Sequence, residues 1–472
     1  MITREEFRDR LHHHFSFEPT PSQAEAIQKL SEFIFDQGEQ FLFIMKGYAG
    51  TGKTSLMSAL VKSLDELHVR TILLAPTGRA AKVLSQYTGR KAYTIHKWIY
   101  RIAQRGGAHY FVRKENKYQH TLFIVDEASM ISSETNMDGL GMASLLDDLI
   151  DYVYSSPHNR MLFIGDDAQL PPVHSSESPA LSLDYMKYTY DVTPYTCRLT
   201  DVVRQAQESG ILVSATALRD KIDTEDYFPP LFSAKPMPDV IRINGGELEE
   251  LYNSLYGKYA SEEIVTITRS NKRANIFNQE IRSRIHFREN SIATGDFIMA
   301  VKNNYYWVDE LSEIGFIANG DIMEVMSIHR QQEIYGYHFA DITVRLCDYP
   351  DEQNIDIKII LESLDIESAS LSFEDNQRLY QAIAEDYQEI TDPRARFIRI
   401  KNDPYLNAVQ VKFAYTLTCH KTQGGQWKQV IIDKGFVPED GFDKEFLRWL
   451  YTALTRSTEQ VYLLNFEDEY FD

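Results

Sequence analysis

Gly47-Tyr48-Ala49-Gly50-Thr51-Gly52-Lys53-Thr54, preceded by the apolar run Phe41-Leu42-Phe43-Ile44-Met45, governs how the rest of the chain is read. The run has strand length, and Ser55-Leu56-Met57-Ser58-Ala59-Leu60 after the loop is helix-like. A G-x-x-x-x-G-K-T loop between a strand and a helix lets backbone N–H groups close around phosphates; the lysine reaches the β/γ-phosphates and the threonine hydroxyl ligates Mg²⁺. Gly47, Gly50, Thr51, Gly52, Lys53, Thr54 and Ser55 are therefore the expected nucleoside triphosphate contacts.

Outward from the loop, strand-length apolar runs recur at Thr71-Leu74, Leu122-Val125, Met161-Ile164, Ile264-Ile267, Val430-Ile432 and Val461-Leu464, with helix-like segments between them. This is the alternation of a buried parallel sheet. The runs fall before about 195 and after about 260, giving two α/β domains. Between 325 and 405 the rhythm is lost: Tyr335-Phe339 and Ile342-Leu346 read as antiparallel strands, followed by an acidic stretch at 361–392. A second insertion at 97–120 reads as a β-hairpin turning near Lys114-Lys117. The expected partition is 1–96 and 121–195, then 196–324 and 406–472, with the insertions at 97–120 and 325–405.

Leu122-Phe123-Ile124-Val125-Asp126-Glu127 is a strand ending in two acids, 73 residues after Lys53. In that position Asp126 is expected to hold Mg²⁺ and Glu127 to polarise the attacking water.

Composition narrows the setting. Three scattered cysteines form no C-x-x-C pair, no apolar stretch approaches a membrane span, and the charged N-terminus is unlike a secretory signal, so a cytoplasmic chain is expected. His12-His13-His14 point in different directions on one helix and make a poor metal site. Net charge is −20, yet residues 79–117 carry +9, 269–288 carry +5 and 394–428 carry +6. A solvated basic face accounts for any one window; three of them in an acidic chain point to one anionic track. Tyr93, Trp98, Phe111 and Tyr305-Tyr306-Trp307 interleave with these charges as stacking rings or as core.

The order G-x-x-G-T-G-K-T, Asp126-Glu127-Ala128-Ser129-Met130, Gly165-Asp166-Asp167-Ala168-Gln169-Leu170-Pro171-Pro172-Val173, His420-Lys421-Thr422-Gln423-Gly424 and Tyr451-Thr452-Ala453-Leu454-Thr455-Arg456 closely resembles superfamily 1 DNA helicases of the RecD-like and Dda-like branch, across residues 20 to 465. The resemblance implies two RecA-like motor domains, with a strand-separating hairpin and an SH3-like insertion. It also implies ATP-driven, 5′-to-3′ travel on single-stranded DNA with unwinding of tailed or forked duplexes by a monomer. By the same resemblance Gln23 reads adenine, Gln169 senses the γ-phosphate, Arg204 and Arg456 act across the cleft, and Gly424 contacts nucleotide. Pro76, Thr77, Arg79, His96, Trp98, Phe111, Thr268, Asn271, Thr418, His420 and Lys421 fall at strand-contacting positions. Gln426 stands where many relatives have Glu. Other readings are an ATP-dependent switch acting on a protein partner through the acidic surface, the motor of a recombination complex, and an RNA track. A guanine-nucleotide switch is disfavoured because Asn271-Lys272-Arg273-Ala274 lacks the aspartate of N-K-x-D.

Overall fold

The computed structural model describes residues 2–15, 17–105, 108–134, 144–202, 209–233, 235–309, 312, 314–349, 352–438 and 441–472; of residues 102–111 only the backbone is described. β1 (Phe41–Gly47), β2 (Thr71–Ala75) and β3 (Ala92–Thr94) precede a hairpin of β4 (Tyr100–Arg105) and β5 (Ala108–Arg113). β6 (Leu122–Val125), β7 (Arg160–Gly165) and β8 (Thr193–Leu199) follow. Six of these form one parallel sheet in the order β3-β2-β6-β7-β1-β8. Its strands alternate between two cores. Phe43, Met45, Leu73, Ile124 and Leu162 face one side with the N-terminal helices Arg4–His14, Pro21–Phe35 and Lys53–Glu66. Leu42, Ile44, Leu74, Phe123, Val125 and Phe163 face the other. Apolar residues at both parities of each strand are what a sheet covered on both faces requires.

The chain then makes β9 (Val240–Ile243) and β10 (Ile264–Thr268) of a second sheet, and leaves it for β11 (Phe297–Ala300), β12 (Ile322–Ile334), β13 (Tyr337–Leu346), β14 (Ile355–Ile360) and β15 (Val409–Phe413), which close a barrel. β16 (Thr416–Thr418), β17 (Trp427–Asp433) and β18 (Ser457–Leu464) return to complete the parallel order β16-β10-β17-β18-β9. Tyr335 and Gly336, at φ 58° and 76°, make the tight β12–β13 turn, a geometry with both central residues at positive φ. The acidic segment forms the helix Phe373–Asp386 and the basic helix Pro393–Lys401 follows it; their Leu379, Ile383 and Ile400 pack with Phe339 and Ile360 of the barrel.

Two sequence expectations shift. The barrel draws in β11 and β15, outside the 325–405 window, because a barrel closes only when its first and last strands pair. The hairpin pairs Arg105 with Ala108, so its strands meet well before Lys114-Lys117, which lies beyond it. Among the described residues no helix is long and apolar enough to cross a membrane.

Candidate nucleotide cleft and strand face

The phosphate loop, the two acids after β6 and the polar turn after β7 all leave the carboxyl ends of adjacent strands, where parallel α/β sheets place their ligands. Gly50 and Gly52 sit at φ 73° and 82°, and Gly52 precedes the Lys53–Glu66 helix, which leaves the loop amides open at a helix N-terminus. A cavity of about 550 Å³ lies here between the two sheets. Gly50, Gly52, Lys53, Thr54, Asp126, Glu127 and Gln169 line it from one side, and Gly424, Gln426 and Arg456 from the other.

Lys53 Nζ donates to the carbonyls of Gly47 and Tyr48, the latter at 3.0 Å, and lies 3.7 Å from Asp166 Oδ2. Burial raises the Asp126, Glu127 and Asp166 carboxyls above the usual range; Lys53 opposes this at all three and Arg456 does so most strongly at Glu127. Glu127 sits in left-handed backbone at φ 51°, a strained position of the kind that concentrates at functional sites. Gln169 Oε1 is buried and, among the described residues, has no hydrogen-bond donor. Arg456 is 4% exposed, its Nε donating to Thr452 O at 3.0 Å and Nη1 to Gly425 O at 3.3 Å.

Other expected nucleotide contacts lie just behind the cavity wall. Gln23 is 1% exposed; its Oε1 accepts Thr20 N–H at 2.9 Å and its Nε2 donates to Thr51 O at 2.9 Å, so it braces the loop from beneath. Thr51 donates to Tyr48 O, Gly47 accepts Lys53, and Ser55 is half-buried in the first turn of the helix. Arg204 lies outside the described residues. Sequence reasoning missed the role of Tyr451, whose hydroxyl accepts Ala49 N–H at 2.9 Å and donates to Asp166 Oδ2 at 2.6 Å. It sits in the helix Lys444–Leu454, so one phenol from the second unit ties together the phosphate loop and the β7 turn. The signal was its place directly before Thr452, which accepts Leu170 N–H at 2.9 Å.

The expected strand contacts divide. Thr77 caps the Gly78–Thr88 helix, accepting Ala80 N–H at 3.2 Å, with Pro76 half-buried beside it. Thr418, His420 and Lys421 surround the short Cys419–Thr422 helix, and Asn271 opens Asn271–Glu280. Burial lowers His420, brings Lys421 to about 8 and His96 to about 4, so His96 is neutral at pH 7. The remaining residues correct the expectation. Thr268 is fully buried, its hydroxyl donating to Ser270 O. Trp98 packs between Tyr93 and Tyr118 at ring separations of 4.9 and 5.6 Å. Arg79 lies 3.8 Å over the Trp427 ring and donates to Gln426 O at 3.0 Å. All three are spent on internal packing in this arrangement. The Phe111 side chain lies outside the described residues.

Sequence comparison adds to this geometry. Residues 18–226 match the family model of an AAA domain, and 413–464 match that of a UvrD-like helicase C-terminal domain. The chain is 34% identical over 177 residues to the ATP-dependent RecD2 DNA helicase of Deinococcus radiodurans, covering 38% of this chain and 21% of that one. In these stretches the chain is similar to superfamily 1 helicases of the RecD/Pif1-like kind. It is also 24% identical to the uncharacterized protein R530 of Acanthamoeba polyphaga mimivirus, over 92% of this chain and 97% of that one. A Bacteroides Pif1 helicase solved with ADP-AlF3 and single-stranded DNA superposes with TM-score 0.46 and 18% identity, over 95% of this chain and 94% of that one. The chain spans nearly all of the mimivirus protein and about a fifth of RecD2.

Proposed function

We propose that this protein is an ATP-dependent DNA helicase that translocates 5′ to 3′ along single-stranded DNA and unwinds tailed or forked duplexes as a cytoplasmic monomer. The observation that carries this reading is the composite cleft: Lys53, Asp126 and Glu127 on one sheet face Gly424 and Arg456 on the other across about 550 Å³. Phosphoryl transfer is accelerated mainly by positioned charge, so a site completed by Arg456 from a second unit ties hydrolysis to closure. Lys53 and the loop amides hold the β/γ-phosphates, Glu127 orients the attacking water, and Gln169 offers its free acceptor to that water or to the γ-phosphate environment. Thr54 and Asp126 fit Mg²⁺, one an exposed hydroxyl and the other a carboxylate in the same cavity; when bound, the ion supplies charge to the phosphate oxygens.

The units that move are the first sheet, through β8 at Leu199, and the second sheet of β9, β10 and β16 to β18, from which the barrel β11 to β15 branches. The strand runs past the starts of Gly78–Thr88 and Cys419–Thr422, with Pro76, Thr77, Thr418, His420 and Lys421 as contacts. The test is steady-state ATP hydrolysis with and without single-stranded DNA or RNA at low salt, followed by unwinding of 5′-tailed and 3′-tailed duplexes. Stimulation by DNA and unwinding of the 5′-tailed substrate are expected. A rate indifferent to either strand would favour the partner-dependent switch.

A further inference from the structure

One helix connects the two regions just described. Gly78–Thr88 begins at Thr77, and on the face that lines the nucleotide cavity it carries Ala80, Val83 and Tyr87, three and four residues apart. Tyr87, in its last turn, donates its phenol hydrogen to Asp126 Oδ2 in the cavity that Thr54 also lines. The other Asp126 oxygen accepts Glu127 N–H at 2.9 Å. The phenol therefore bonds to one of the two groups assigned above to Mg²⁺, in the cavity lined by the other, and each oxygen of Asp126 accepts a hydrogen bond from a protein group. Ser58 Oγ donates to the Tyr87 carbonyl at 3.0 Å, pinning that end of the helix to Lys53–Glu66.

The opposite end of the helix is under load. Gly424, at φ +71°, lies so close that a Cβ there would come within 2.8 Å of Ala80 Cβ and 3.1 Å of Thr77 Oγ1. Arg79 is clamped on Trp427, and Lys82 Nζ donates to Cys347 O of the barrel side at 2.8 Å. A strand that engages Pro76 and Thr77 meets the helix at these contacts, and Tyr87 sits on the same helix.

We propose that Tyr87 is a positioning residue for the cation site: its phenol caps the Asp126 carboxylate in the cavity that Thr54 also lines, and strand binding at the start of the same helix withdraws it. The inference rests on the helicase reading. In the absence of a strand the cap competes with Mg²⁺, which suppresses idle hydrolysis; with a strand bound the competition ends.

The test is the Mg²⁺ concentration that half-saturates binding of a fluorescent, non-hydrolysable ATP analogue, measured on the full chain with and without single-stranded DNA. For the wild type, DNA is expected to lower that concentration. Tyr87→Phe keeps the ring and loses the bond; it should lower the DNA-free value by about tenfold, the scale of one charge-assisted hydrogen bond, and shrink the DNA-induced shift. Mn²⁺ titration followed by electron paramagnetic resonance in the presence of the analogue should move in parallel. Thermal unfolding of Tyr87→Phe within a few degrees of the wild type shows that the fold survives. An unchanged or raised half-saturation in Tyr87→Phe, with a strand-responsive wild type, overturns the cap and leaves the helicase reading standing. A wild type that binds no nucleotide overturns both.

Discussion

The nucleotide cleft and the strand face are built from opposite kinds of sequence. In the cleft, contacts come from consecutive residues at strand ends, and the cavity collects Gly50, Gly52, Lys53, Thr54, Asp126 and Glu127 in one place. On the strand face, the basic windows disperse. Arg90 pairs with Asp65, Arg113 with Asp148 and Asp151, Arg273 with Asp433, Lys428 with Glu263, and Arg282 and Arg288 with Asp296. Much of the local positive charge is thus matched by acids elsewhere in the chain, a pairing that a window count cannot see. Phosphate chemistry imposes a contiguous motif, whereas a strand track is assembled from whatever the fold leaves at its surface.

The sharpest way to break that contrast is Lys53→Ala. Hydrolysis should fall by at least about a hundredfold while single-strand affinity changes by less than about threefold, read by steady-state kinetics and fluorescence anisotropy. A comparable loss of strand binding would mean that the two regions are one. Gly424→Ala acts at their seam: positive φ and the approach to Ala80 together should cost on the order of 2 kcal/mol in denaturant unfolding and lower hydrolysis more than strand affinity.

Tyr451→Phe leaves Ala49 N–H and one Asp166 oxygen without their shared partner, and about 1–3 kcal/mol of stability should be lost by the same measurement. On the strand side, Asp321 is buried and raised to about 7 by that burial, with Asp348 adding to the shift. Its folded state holds the proton more tightly than the unfolded chain, so its contribution to stability is fully present below about pH 4 and is lost as pH rises toward 7. Asp321→Asn should flatten that decline and gain on the order of 1–2 kcal/mol at pH 8. The smallest effect is expected of Lys272→Ala, whose partner Glu367 is equally exposed. Stability should change by less than about 0.5 kcal/mol, and a lowered salt slope of DNA binding would place Lys272 on the track.

How much was legible follows the same divide. Strong apolar runs such as Phe41-Met45 and Leu122-Val125 fell in parallel strands, since a sheet buried on both faces needs them. β8 (Thr193–Leu199) was not legible because its alternation of Thr, Tyr, Arg and apolar residues reads as an ordinary half-exposed edge. The barrel was recognised only from its middle, since β11 and β15 are separated by more than 100 residues and pairing at that distance leaves no local trace. Tyr87 was invisible, and the role of Tyr451 within its motif unread, for a related reason. Each acts on a carboxylate far away in sequence, and an isolated tyrosine on an amphipathic helix looks like packing. The excursion of the chain into the barrel between β10 and β16 also has a temporal consequence. During synthesis the first sheet has all its strands once Leu199 emerges, but β10 must wait for both neighbours, Thr416–Thr418 and Trp427–Asp433, which are made some 150 residues later. The first sheet can close early, while the second stays open until those distant strands have been made, so its pairing is the late and slow one.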